Sequence, residues 1–254
     1  MIKKPNELNS HLDFLSQLSD EDKSELLRIG YKKSFLKNDF IFRTGDFDAN
    51  IWILIQGRIK IFKSSVQGRD LLLWFTTPGD IFGIAECMHE RTRMVNARAA
   101  ESSELICVPH AKFKDWVIAR PKIAYMLIQI VSGRLREISN RFLSLANGNI
   151  QLEITQLLIS LGIRYGTQVG SEIHFGIPFT EQDIADMAGT SRQGVSTLLA
   201  DLKRQEIIEC EHHLIVIKKL DQLEDMANIK NKTASTSKQI HISRKTEVPN
   251  KLPI

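Results

Sequence analysis

The stretch "GTSRQGVSTLL", residues 189–199, decides the fold. Val195, Leu198, Leu199 and, one step on, Leu202 recur at helical spacing and make one apolar face. The other face carries Ser191, Arg192, Gln193, Ser196 and Thr197, small polar side chains led by an arginine and a glutamine. Gly194 sits among them, although glycine weakens a helix interior by about 1 kcal/mol relative to alanine. Just upstream, Thr180 precedes Asp183 in the pattern T-x-x-D, a capping-box-like start for the helix "EQDIADMA". Gly189 suits the left-handed residue that ends such a helix, and Ser191 caps the next one. Small Ala185 allows close approach, and Val195 and Leu198 fill a steep crossing. Two short helices in this register form a helix–turn–helix.

In that motif the second helix enters the major groove with its first residues toward the bases. Arg192 can fork onto guanine O6 and N7, and Gln193 can pair with adenine N6 and N7. Ser196 and Thr197 share their face, and Lys203 and Arg204 add positive charge farther along. Thr180 and Ser191, at helix starts, suit phosphate oxygens. The expected contacts to double-stranded DNA are therefore Thr180, Ser191, Arg192, Gln193, Ser196, Thr197 and Lys203. A helical hairpin with a solvated polar face is the alternative; two caps, a turn glycine and a small residue in register argue against it.

Downstream, "IIECEHHLIVIKK" reads as a hairpin, the wing of a winged helix. Cys210, His212 and His213 lack a nearby fourth ligand, so no metal is expected there. After Asp225 the text turns polar, with Lys230, Lys232, Lys238, Arg244, Lys245 and Lys251 against Glu247. A disordered basic tail is expected over residues 221–254.

Upstream, short β-rich runs ("FIFRT", "IWILI", "RIKIF", "LLLWF", "ELICV") alternate with turn glycines at intervals of about eleven residues. That rhythm predicts a sandwich or barrel between residue 35 and about residue 108. Pro121 then opens a long helix on which Leu127, Val131, Leu135, Ile138, Phe142 and Leu145 form a narrow apolar seam. The seam suits packing on the helix's own β domain and a dimer interface equally. "NGN" at residues 147–149 breaks the helix, and a new one follows with Ile154, Leu157, Leu158 and Leu161 on one face, ending at Gly166.

Composition excludes other classes. The 254 residues are 43% apolar and 25% charged, ordinary for a globular protein of one or two domains. Cys87, Cys107 and Cys210 are odd in number and far apart, which argues against a disulfide framework and against thiolate zinc or iron–sulfur sites. The N-terminus has no apolar signal core, and "IAYMLIQIV" is too short to span a bilayer. A cytoplasmic protein with no membrane partner is expected. A cupin-type enzyme needs an H-x-H motif; the strand-rich region has His89 and His110, not so arranged, so no catalytic residue is expected. The net charge of +4 hides a stretch between Gly148 and Asp225 in which acidic residues outnumber basic ones. DNA attraction must come from the local face of Arg192, Lys203 and Arg204.

The whole arrangement resembles the CRP/FNR superfamily of bacterial transcription regulators, over about residues 15–220. The likeness rests on the β-region with "PGDIFG", the long helix from Pro121, the "NGN" hinge and "FTEQDIADMAGTSRQGVSTLLADLKRQEII". It implies an α+β fold: an N-terminal cyclic-nucleotide-binding-like β-roll (jelly roll) at 1–120, a long dimerisation helix and hinge at 121–147, and a winged helix–turn–helix at 148–220. It implies a homodimer about Leu127, Val131, Leu135, Ile138, Phe142 and Leu145, a palindromic operator, and RNA polymerase as a candidate partner.

The departures from the family pattern concern the effector. The pocket is expected around Phe82, Gly83, Ile84, Arg93, Met94 and Ile138. Ile84 stands where a ribose-binding glutamate would follow the glycine, and Met94 where a serine would join Arg93 on a phosphate. Isoleucine cannot accept from ribose hydroxyls, so cyclic AMP is not the expected effector. The Gly83 loop and Arg93 suit a small anion or carboxylate, the apolar Ile84, Met94 and Ile138 point to a ligand more apolar than a nucleotide or to none, and Arg93 reads equally as a solvated loop cation. The N-terminal cysteine cluster of iron–sulfur members is absent. "ECMHE" offers Cys87, Met88 and His89, but a few positions beyond the heme ligands of related sensors, so heme is not expected. The effector stays open, and an effector-independent dimeric DNA-binding protein and a heme or redox sensor remain the alternatives.

Overall fold

Alternation along each strand decides which core its side chains join. The computed structural model describes residues 13–65, 70–88, 92–146 and 149–227, with the backbone alone at 87–88, 137 and 140–146. The chain runs α1 (Asp20–Ile29), β1 (Tyr31–Phe35), β2 (Phe40–Phe42), β3 (Asn50–Gln56), β4 (Ile59–Ser64), β5 (Asp70–Thr76), β6 (Ile81–Phe82), α2 (Ile84–Met88), β7 (Asn96–Ala99), β8 (Ser103–Pro109) and α3 (His110–Ile118). Two four-stranded sheets result, ordered β1-β8-β3-β6 and β2-β7-β4-β5. In β3, Trp52 and Leu54 point into the space between the sheets, while Ile51 and Ile53 point outward under the helices. Leu105 and Cys107 of β8 face inward, and Ile106 and Val108 outward. Both faces of this central pair are buried, which is why "IWILI" and "ELICV" are continuous apolar runs.

The long helix α4 (Pro121–Ala146) begins at the proline that its sequence offers. Its buried face is Ile123, Met126, Leu127 and Ile130, packed with Phe113 and Trp116 against the outer side of the first sheet. Leu127 is only 6% exposed, so it belongs to the protomer's own core and not to the expected seam. The exposed apolar stripe is Ile128, Val131, Leu135 and Ile138. The side chains of Phe142 and Leu145 lie outside the described residues.

The C-terminal part comprises α5 (Ile150–Tyr165), β9 (Gly166–Val169), β10 (Glu172–Phe175), α6 (Glu181–Ala188), α7 (Arg192–Arg204), β11 (Ile208–Glu211), β12 (Leu214–Ile217) and α8 (Leu220–Met226). Asn149 caps α5, its side chain accepting from Leu152 N at 3.1 Å. The strands form one sheet, β11-β12-β10-β9. The wing is a two-residue turn in which His212 and His213 both take positive φ, 48° and 66°, the geometry that twists with the flanking strands. Helix α8 corrects the expected tail boundary: Leu223 and Ala227 are fully buried, and Gln156 Nε2 donates to Ala227 O at 3.1 Å. The basic residues from Lys230 on lie outside the described residues.

The two parts meet on the outer face of β4 and β5. A bulge at Ile61/Phe62 turns Phe62 outward, where it joins Leu72 and Phe75 in one core with the C-terminal helices. Phase and polarity agree at this contact: the Tyr165 hydroxyl accepts from Phe75 N at 3.2 Å and donates to Phe75 O at 2.9 Å. Phe75 and Phe179 stack edge to face at 5.5 Å.

Candidate nucleic-acid interface and the β-roll pocket

Helix α6 starts with a complete capping box. The Thr180 hydroxyl accepts from Asp183 N at 3.1 Å and donates to Asp183 Oδ2 at 2.7 Å, and Thr180 N donates to the same carboxylate at 3.0 Å. Gly189 ends the helix at φ 63°. Ser191 caps α7 by accepting from Gly194 N at 3.2 Å. Ile184, Ala185, Val195, Leu198, Leu199 and Leu202 close the crossing, all buried.

These bonds sort the expected DNA contacts. Both donors of Thr180 are spent on Asp183, so Thr180 organises the helix start and has no proton to give a phosphate. Ser191, Arg192, Gln193, Thr197 and Lys203 are exposed on α7 or at its cap, and Ser196 is half-buried. The Thr197 hydroxyl donates back to Gln193 O at 3.0 Å, turning its methyl group and lone pairs outward. Arg192 Nε donates to Glu181 Oε2 at 3.1 Å. Its terminal amino groups keep no partner among the described residues. Hydrogen bonds from Arg192 and Ser196 hold the Glu181 carboxyl below its ordinary range. Glu181 therefore aims the arginine across the mouth of the motif. Sequence reading missed it; the available signal was an acid at the first position of one helix facing the first residue of the next. An added Cβ at Gly194 would meet Ser191 Oγ at 3.4 Å, ordinary contact, so nothing inside the fold demands glycine there.

One side of this motif is gripped by the β-roll. The Lys60 ammonium pairs with Asp183, whose side chain is 5% exposed, and Arg58 Nη1 donates to Pro178 O. Burial pushes the Asp183 carboxyl up, but the Lys60 bond and charge, with the Thr180 bonds, hold it below its ordinary range. Sequence reading assigned no part to Lys60 or Arg58.

The expected effector pocket is assembled differently. Phe82 and Ile84 are buried and Gly83 lines the turn between them, at φ 78°. Arg93 is no solvated loop cation: its side chain is fully buried. Nη1 donates to Gly83 O at 2.7 Å, and Nη2 donates to Asp48 Oδ2 at 2.8 Å and to Asn50 O at 2.6 Å. Glu86 Oε2 stands 3.6 Å from Nη1, and the Phe42 ring lies under the guanidinium at 4.2 Å. At Gly83 a side chain would be strained by the φ of 78°, and its Cβ would crowd Nη1 at 3.0 Å. Met94 and Ile138, expected around the pocket, are 58% and 43% exposed and stand outside this cluster. An anion at Arg93, the expectation from sequence, meets two carboxylates already there. Cys87, Met88 and His89 have no described side chains; among the described residues no cluster of His, Cys, Asp and Glu could hold a metal. No described helix is long and apolar enough to cross a membrane.

Comparison with known proteins covers both halves. A family profile described as "Cyclic nucleotide-binding domain" matches residues 32–119, and one described as "Crp-like helix-turn-helix domain" matches residues 153–226. The "CRP-like cAMP-activated global transcriptional regulator" of Mycobacterium tuberculosis is 26% identical over 189 residues, 74% of this chain and 84% of that protein. The "Anaerobic regulatory protein" of Bacillus subtilis is 28% identical over 211 residues, 82% of this chain and 89% of that one. Among solved structures, a CooA mutant from Carboxydothermus hydrogenoformans superposes with TM-score 0.71 at 21% identity, over 85% of this chain and 94% of that chain. FixK2 from Bradyrhizobium japonicum gives 0.68 at 20%, over 78% and 97%.

Proposed function

Because the chain belongs to the CRP/FNR superfamily of DNA-binding transcription regulators, we propose that it reads an inverted-repeat operator as a homodimer. The observation that carries this reading is the polar face of α7, with Arg192 oriented by Glu181 and its terminal amino groups directed to solvent. Arg192 and Gln193 read base edges, Ser191 and Lys203 supply phosphate contacts, and Ser196 and Thr197, whose hydroxyl protons go to Glu181 and to Gln193 O, meet the groove. Dimerisation uses Val131, Leu135 and Ile138, joined by Ile128 in place of Leu127. A shared stripe on α4 would set two recognition helices about one DNA turn apart, roughly 34 Å. RNA polymerase is the candidate second partner in this reading. The units of this reading are a control domain at 1–120, a dimer helix at 121–147 and a DNA-binding unit extended from 148 through α8.

The β-roll is the control domain in this reading, and its input is not cyclic AMP. Ile84 gives ribose hydroxyls no acceptor, and each one buried unpaired costs about 1–3 kcal/mol. The internal pairing of Arg93 also favours a second reading, a dimeric regulator whose DNA binding needs no effector. DNA affinity titrated against cell metabolites separates the two.

Selection of bound duplexes from a random pool tests the main proposal. The expected consensus is an inverted repeat with half-site centres one turn apart. Leu135→Glu is expected to give monomers and to lower operator affinity by about a hundredfold or more, since the second half-site no longer adds to the first. A wild-type chain that sediments as a monomer, and binds one half-site as tightly as two, contradicts it.

A further inference from the structure

A buried guanidinium is an anion receptor, and in this protein the anion is part of the chain. Asp48, on the connection between β2 and β3, gives one carboxylate oxygen to Arg93 Nη2 and to Trp52 Nε1, the latter at 3.1 Å. Its other oxygen accepts from Asn50 Nδ2. Trp52 and Asn50 thus fix the carboxylate in place before any solute arrives. The two loops are stapled together at the same point: Gly45 N donates to Arg93 O at 2.8 Å, and Arg93 N donates to Asp46 O at 2.9 Å. Glu86 closes the other side of the guanidinium, its Oε1 accepting from Met94 N at 3.4 Å. The Asp48 and Glu86 side chains are 15% and 11% exposed, against zero for Arg93.

We propose that Asp48, with Glu86, is a tethered ligand: it fills the anion site of Arg93 and makes the β-roll refractory to phosphate-bearing effectors. Charge acts first. Two carboxylates around one guanidinium give the cluster a net negative charge, so a phosphate is repelled where a lone buried arginine would attract it. Competition acts in the same direction. A phosphate must displace a carboxylate that is already oriented, and breaking a buried pair leaves a buried charge uncompensated. One donor stays open: Arg93 Nε is buried with no hydrogen-bond partner among the described residues. That N–H is the position a phosphate oxygen would take once the carboxylates are neutralised. Asp48 and Glu86 are then the residues that set ligand class at this site, and Arg93 is a latent phosphate receptor. The inference rests on the reading that no cyclic nucleotide controls the β-roll, and is independent of how α7 reads DNA.

Titration of the full-length chain with inorganic phosphate and, separately, with cyclic AMP tests it, followed by calorimetry. Wild type is expected to bind neither. Asp48→Asn with Glu86→Gln keeps side-chain shape while removing both negative charges, and is expected to gain phosphate binding by on the order of a hundredfold. Adding Arg93→Gln to that pair is expected to abolish the gain. Should the double variant not fold, Glu86→Gln alone is expected to show a smaller gain. In wild type the Arg93 guanidinium resonances are expected to stay unmoved by excess phosphate. A folded double variant that binds no phosphate overturns the tethered-ligand proposal and leaves the exclusion of cyclic AMP standing. Wild-type binding of cyclic AMP that Arg93→Gln abolishes overturns both, and a wild-type shift of those resonances on phosphate overturns the tethered ligand.

Discussion

The two functional regions find their partners at very different distances along the chain. In the helix–turn–helix, Thr180 is satisfied by Asp183 and Ser191 by Gly194, three residues away in each case. In the β-roll, Arg93 takes Asp48 and the Asn50 carbonyl, 45 and 43 residues away. Local bonds organise the motif and leave its polar face, Arg192, Gln193 and Thr197, turned to solvent. Long-range bonds organise the pocket and turn its one cation inward, where the chain's own carboxylates use it. One region presents donors to a large external anion, DNA. The other holds its cation against the chain's own carboxylates, and the donor it leaves open, Arg93 Nε, is buried.

Three substitutions sharpen that contrast. Arg93→Ala is expected to have the largest effect, because it strands Asp48 and Glu86 without their cation. Breaking a buried pair costs about 3–5 kcal/mol, read as a lower denaturation midpoint with an unchanged m-value. A loss under about 1 kcal/mol would mean that the pair is solvated like a surface bridge.

Lys60→Ala comes next. It leaves Asp183 with its Thr180 bonds but without its cation, and Lys60 is about a quarter exposed, so the loss is smaller, about 1–3 kcal/mol. The sign with pH follows from the lowered Asp183 carboxyl. The stability that this depression contributes is present above the ordinary aspartate value of about 3.9 and is lost as the pH falls through the lower native value. The gap between wild type and variant should therefore stay constant near neutrality and narrow in acid. A gap that widens in acid would show that Lys60 acts on some other group.

Gly194→Ala separates the two roles of the recognition helix. The fold has room for the methyl group, so stability is expected to rise by about 1 kcal/mol. DNA affinity is expected to fall, because the helix backbone can no longer approach as closely. Raised stability with unchanged affinity would show that the glycine serves neither.

The helix–turn–helix was legible because its determinants fall within one short window. A cap, an apolar period and a left-handed glycine each act within a turn or two of helix, and Thr180, Gly189 and Ser191 all do what their types favour. The division of Thr180's donors was not legible, since it depends on which way a hydroxyl and a carboxylate rotate. The β-roll's long strands were legible as runs, but two-residue β6 has no pattern to read, and β1 (YKKSF) is exposed at four of its five positions. Only part of the seam on α4 is exposed, because two faces of that helix are apolar. Leu127 and Ile128 are adjacent, and only the packing of the first sheet decides that Leu127 turns in. Helix α8 docks through Leu223 and Ala227, too few residues to show a period. The β9–β10 hairpin turns at Gly170, φ 62°, a signal present in "VGSE" and overlooked. No local rule could have joined Asp48 to Arg93; that pair is a product of sheet topology.

Base reading by Arg192 is the central claim, and the most direct measurement is the affinity of wild type and Arg192→Ala for an operator and its single base-pair variants at one salt concentration. The expected result is a loss of about 1–3 kcal/mol per half-site on the best operator, with preference relaxed at one base pair and kept at the others. A loss of equal size on every duplex, with preference unchanged at all positions, would make Arg192 a phosphate contact and contradict the account.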